Sequence, residues 1–136
     1  MPRLQLLLYL NPGAADIFFN IKLKDGTYRR YTGTVDTGAE VSLLPRLLMD
    51  EVEFRLSEEA NIVIDQAGIA VQSFEALEAV VTIFLEDQTG QQTNSFPVKV
   101  WFADTDQFLI GFDDILDQAV LHIDMQNRDG WIELDP

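Results

Sequence analysis

The chain has 136 residues, which is one domain's worth (1–136) and enough to build a core without cross-links. It contains no cysteine, which excludes disulfides, thiolate nucleophiles and cysteine metal sites. Nine basic residues against 23 acidic ones give a net charge of −14, which argues against nucleic acid or an anionic membrane as partner, since both demand clustered Lys and Arg.

In chain order, Leu4 to Leu10 is apolar but too short to span a bilayer. Gln5 interrupts it and Asn11-Pro12-Gly13 follows, so an N-terminal strand is expected rather than a signal segment. With no other segment that looks transmembrane, the expected compartment is the cytoplasm. Ile17, Phe19, Ile21 and Leu23 alternate with Phe18, Asn20 and Lys22, the period of a half-buried strand. Asp25-Gly26 supplies a hairpin turn, and Tyr28 to Val35 returns as the partner strand. That strand delivers Asp36 at its end. Val41 to Leu44 is a further short strand, and Pro45 to Asp50 reads as one helical turn.

Asn61 to Asp65 and Ile69 to Phe74 flank Gln66-Ala67-Gly68, which reads as a hairpin with a small tip. Ala79 to Leu85 is a β-branched and aromatic strand, and Phe96 to Phe102 is another, with Pro97 near its start. Phe108-Leu109-Ile110-Gly111 is a short buried strand ending in Gly. Asp113 or Asp114 is placed to cap a helix running through Ile115, Leu116 and Ala119. Val120 to Asp124 and Trp131 to Leu134 form a closing hairpin. The chain is therefore mainly β.

Few constellations carry chemistry. A Ser–His–Asp device needs a histidine, and the only one, His122, sits between Leu121 and Ile123 in a strand, where it reads as structural. No Gly-x-Ser-x-Gly elbow, calcium loop or phosphate-cradling Gly-rich loop is present, so neither metal nor cofactor is expected. What remains is Asp36-Thr37-Gly38, a carboxylate lodged between two apolar strands. The plain reading is a turn, with Asp capping the backbone and Gly at positive φ. The context argues for more. A hydrophobic hairpin precedes the triplet, an apolar strand follows, and an apolar pair before Gly recurs at Leu109-Ile110-Gly111.

On these residues the chain resembles the retropepsin-like aspartic proteases over roughly Asp16 to Leu134. Val35-Asp36-Thr37-Gly38-Ala39 matches the family's active-site loop and Leu109-Ile110-Gly111 its second apolar-apolar-Gly element. The resemblance implies a retropepsin-like acid-protease β-barrel with one short helix in the C-terminal half, and an endopeptidase without cofactor. It implies Asp36, Thr37 and Gly38 as the catalytic set. It implies substrate contacts from Ala39, Glu40 and Ile110 and from a flap at Gln66, Ala67, Gly68 and Ile69. Subsite walls from Ile64, Ile69 and Val71 would favour apolar side chains. Glu40 and Phe112 depart from the viral pattern, which has an Asp and an Arg there that pair with each other.

Carboxylate hydrolysis of a peptide needs two acids, one to activate water and one to pass a proton. This chain carries one Asp-Thr-Gly. The expected assembly is thus a two-fold homodimer in which Asp36 of each copy meets at the axis, with Leu4 to Leu10 and Trp131 to Leu134 as candidate dimer-sheet strands. Two alternatives share the sequence. One is a non-catalytic or highly selective peptide-binding module on the same fold. The other is a β-barrel interaction module in which the triplet is only a turn.

Overall fold

The computed structural model describes residues 2–65 and 73–136 and consists mainly of β-strands. They are β1 (Arg3–Gln5), β2 (Leu7–Tyr9), β3 (Ala14–Lys22), β4 (Tyr28–Val35), β5 (Ser42–Pro45), β6 (Phe54–Asp65), β7 (Ser73–Glu86), β8 (Phe96–Ala103), β9 (Leu109–Ile110), β10 (Ala119–Asp124) and β11 (Asp129–Leu134). Eight of them form one sheet in the order β2-β3-β4-β9-β5-β8-β7-β6. A second pairing of β3 with β7, from Phe18↔Glu86 to Ile21↔Ile83, curls that sheet closed. The other three strands form a small sheet, β1-β11-β10.

Strand alternation builds the core. Ile17, Phe19 and Ile21 on β3, Ala79, Val81, Ile83 and Leu85 on β7, and Phe96, Val98, Val100 and Phe102 on β8 all point inward and are buried. The small sheet adds Leu4, Ile132 and Leu134 to the same core. Among the described residues no helix is long and apolar enough to cross a membrane.

The expected N-terminal strand is divided. β1 pairs with β11 in the small sheet, β2 pairs with β3 in the large one, and the chain changes sheets at buried Leu6. Asp87 fixes this crossing, because its Oδ2 accepts the amide of Gln5 at 3.0 Å. The helix expected after Asp113 is absent and is corrected to a 3-10 turn at Leu116–Gln118. The two acids are engaged elsewhere. Asp113 pairs with Lys99 Nζ at 2.8 Å, and Asp114 Oδ2 accepts the Lys99 amide at 2.8 Å, with Asp114 itself at φ 66°. Both carboxylates staple this segment to β8 rather than cap a helix. The turn after Pro45 forms a 3-10 helix at Arg46–Asp50.

The topology around β9 matters most for the site. This two-residue strand comes late in the chain but lies between two early ones. It runs parallel to β4, with Thr34↔Leu109 and Val35↔Ile110, and antiparallel to β5 at Leu43↔Leu109. The strand that leads into Asp36-Thr37-Gly38 and the Leu109-Ile110-Gly111 element are thus laid side by side.

Candidate active site at the Asp36 loop

Asp36 extends β4 by one residue, and its amide donates to Ile110 O at 2.9 Å. The chain then turns. Ala39 N donates to Asp36 O at 3.1 Å, and Gly38 N donates to Asp36 Oδ1 at 2.9 Å. The plain-turn reading needed Gly38 at positive φ, and the structure corrects this: among the described glycines only Gly26 and Gly90 adopt it. Gly38 serves close approach instead. A Cβ there would lie 3.3 Å from Asp36 Oδ1, tighter than ordinary contact.

The far side of the loop is bonded to the segment after β9. Phe112 N donates to Ala39 O at 3.0 Å and Asp113 N to Glu40 O at 2.8 Å. Between them Gly111 N donates to the buried Ser42 Oγ at 2.9 Å. Gly111 must be glycine on steric grounds, since a Cβ would come within 2.7 Å of Val41 C and 2.9 Å of Ala39 O. Backbone bonds therefore tie Ala39 and Glu40 to Phe112 and Asp113, with no side-chain pair between Glu40 and Phe112, and Phe112 is left exposed.

Strand alternation sorts the neighbours of Asp36 into two faces. Gly33 is buried and Val35 packs on the core, so Thr34 and Asp36 share the outer face. Register then carries that face sideways, placing Asp16 opposite Thr34 on β3 and Leu109 opposite it on β9, with Leu43 beyond. All four are half-buried. Thr34 Oγ1 donates to Asp16 Oδ1 at 2.8 Å.

Among the residues expected at the site, Asp36 and Ala39 are half-buried, while Thr37, Gly38 and Glu40 are exposed in the single chain. Ile110 lies in the core at 2 % exposure, and a Cβ on Gly33 would lie 2.8 Å from its side chain. Of the apolar pair it is Leu109, not Ile110, that shares a face with Asp36. Gln66, Ala67, Gly68, Ile69 and Val71 lie outside the described residues. Sequence reasoning passed over Leu109, Ser42 and Asp16. Two-residue steps from Asp36 to Thr34 and the hairpin register about Asp25-Gly26 lead to Asp16, whereas Leu109 follows only from the register of β9. Ser42 shows no signal short of the fold, because its partner Gly111 is remote in sequence.

The carboxylates of Asp16 and Asp36 are not bridged by any Lys, Arg or His among the described residues, whereas Arg3, Lys22, Arg29, Arg30, Lys99 and His122 each pair with another acid. No group of three or more described His, Asp or Glu side chains is placed to hold a metal. A surface cavity of about 310 Å³ lined by Lys22, Glu53, Phe54, Arg55, Val80, Thr82 and Pro97 shares no residue with the Asp36 loop. His122 stacks on Trp131 with ring centroids 5.2 Å apart and sets Nε2 3.3 Å from Asp129, a surface contact within the small sheet. The segments expected to form a dimer sheet pair with each other inside one chain, Arg3↔Glu133 through Gln5↔Trp131.

No family model matches the chain, and no curated protein does. A solved structure described as EIAV protease complexed with the inhibitor HBY-793 is similar at 13% sequence identity and a TM-score of 0.41. The match covers 77% of this chain and 88% of that one. So shallow a likeness adds no weight to the site, which rests on its own geometry.

Proposed function

We propose that this chain is an aspartic endopeptidase that works as a homodimer on the retropepsin-like plan. The observation that carries the reading is the Asp36 loop, lying between the end of β4 and the segment that follows β9. Its carboxylate is half-buried, accepts one amide, and is joined to no cation among the described residues. A half-buried carboxylate with open acceptor capacity is available to water or substrate.

In the dimer the Asp36 carboxylates of the two copies face each other. Like charges at close range do not both ionise, so the pair shares one proton and titrates as a unit. The ionised partner takes a proton from water, the water attacks the peptide carbonyl, and the protonated partner supports the developing oxyanion and passes its proton on. The Gly38 amide holds one oxygen of each carboxylate, leaving the other for water. Thr37 is exposed in the single chain, which supports a role in meeting the second copy. Since β1 and β11 are paired within the chain, the dimer contact is expected to use the loop and the outer edges of the small sheet.

The test is cleavage of an unstructured protein by wild type and Asp36→Asn at acidic and neutral pH. Loss of all cleavage in the variant is the expected result, and undiminished cleavage overturns the assignment. Sedimentation adds a second check. A 15.4 kDa species alone at micromolar concentration, even with a peptide inhibitor, would exclude a shared site.

A further inference from the structure

We infer that Asp16 is a specificity-determining residue that selects a Lys or Arg side chain in the substrate next to the scissile bond. The inference rests on the hydrolytic reading above and deepens it.

Its basis is the row that crosses the outer face of the sheet. Leu7, Asp16, Thr34 and Leu109 stand opposite one another on β2, β3, β4 and β9. Each is half-buried. Asp16 is thus a carboxylate flanked by Leu7 and Thr34, with Leu109 beyond, and among the described residues Thr34 Oγ1 at 2.8 Å is its one side-chain donor. The nine Lys and Arg residues and His122 all lie within the described residues, and none bridges it. A charge taken partly out of water with no countercharge is costly unless something supplies one. Thr34 is two residues before Asp36, about 7 Å along the strand, so the row adjoins the reacting bond. A lysine or arginine side chain suits this place. Its methylene stem lies along Leu109 and its cationic head reaches Asp16, the division of labour long basic side chains adopt at apolar surfaces. The hydroxyl of Thr34 fixes the carboxylate that receives it. The net charge of −14 draws basic segments toward the same surface.

The experiment uses the full chain and pairs of fluorogenic peptides that differ only by lysine or norleucine beside the scissile bond. Wild type is expected to favour lysine by roughly fivefold in kcat/KM, the upper range for a solvent-reached ion pair. Asp16→Asn is expected to bring the ratio to about one, while Asp16→Glu, which keeps the charge, retains the preference. A merely structural role would lower both peptides in parallel and leave the ratio unchanged, and that result overturns the inference, as does a wild-type ratio of one. Calorimetry with uncleavable reduced-amide versions of the two peptides separates the inference from the hydrolytic reading. Tighter lysine binding in Asp36→Asn and in wild type, lost in Asp16→Asn, upholds the subsite even if no cleavage occurs. Equal or absent binding of the two peptides overturns it.

Discussion

Asp36 and Asp87 solve the same local problem and end in opposite states. Each closes a turn by accepting an amide two residues ahead, Gly38 at 2.9 Å and Thr89 at 2.9 Å. Asp87 then goes on to accept the Thr89 hydroxyl at 2.6 Å, the Gln91 amide at 3.0 Å and the Gln5 amide at 3.0 Å. It is 2 % exposed and its acceptor capacity is filled. Burial pushes its carboxyl up, but the Thr89 hydroxyl and the three amides outweigh burial and hold it below the ordinary value. Among the described residues Asp36 stops at one side-chain bond. A carboxylate that fills its lone pairs from its own chain is a fastener, and one that leaves them open is available to water or substrate. Asp25 lies between the two: its Oδ1 takes the Thr27 amide and hydroxyl, beside Gly26 at φ 88°.

Three substitutions break this comparison, in falling order of effect. Asp36→Asn should lower kcat by about 10³-fold or more, the scale of general acid–base catalysis, while thermal unfolding stays near that of wild type. Asp87→Asn should do the reverse. It should keep activity at permissive temperature and cost about 2 kcal/mol in urea unfolding at neutral pH, because buried donors lose a charged acceptor. The sign of its pH effect follows from the depressed folded pKa. The stability Asp87 contributes is complete above the ordinary Asp range and is lost as pH falls through the lower, folded value. Wild type should therefore lose stability on that acid limb, and Asp87→Asn should flatten it. Ser42→Ala should have the smallest effect, about 1 kcal/mol, by removing the acceptor of the Gly111 amide. If it lowers kcat more than the stability loss accounts for, Ser42 also sets the position of the Asp36 loop.

Gly111→Ala sharpens the same point from the steric side. The added methyl would sit 2.7 Å from Val41 backbone, where nothing yields as a side chain would, so a loss of about 1–3 kcal/mol is expected in denaturant unfolding.

Period-two patterning made most of the strands legible, because a half-buried strand writes its two faces into alternate residues. Ile17 to Leu23, Tyr28 to Val35 and Phe96 to Phe102 correspond to β3, β4 and β8. The first part of β6 from Phe54 was invisible, since Phe54-Arg55-Leu56-Ser57-Glu58-Glu59 is largely polar and its pairing slips between Leu56 and Asn61. The missing helix shows the limit of cap reasoning. Asp113 and Asp114 have the right chemistry for a cap, but Lys99, remote in the pattern, claims both. At the site the triplet was legible and its surroundings only in part. Ile110, expected to contact substrate, lies in the core of the single chain, because an apolar pair does not state which member faces inward. Gly33 decides that by leaving room for Ile110, and only the register shows it.

The placement of β9 between β4 and β5 also sets an order of events during biosynthesis. The loop at Asp36 leaves the ribosome well before β9, yet the carbonyl that receives the Asp36 amide belongs to Ile110, and Ser42 waits for Gly111. Such remote pairings close late, because the intervening chain must be ordered before they form. A nascent or truncated chain ending before β9 therefore holds Asp36 on an unfinished strand. Under the proposed activity, a copy whose β9 has not yet been made stays inert, so the fold itself delays the onset of proteolysis.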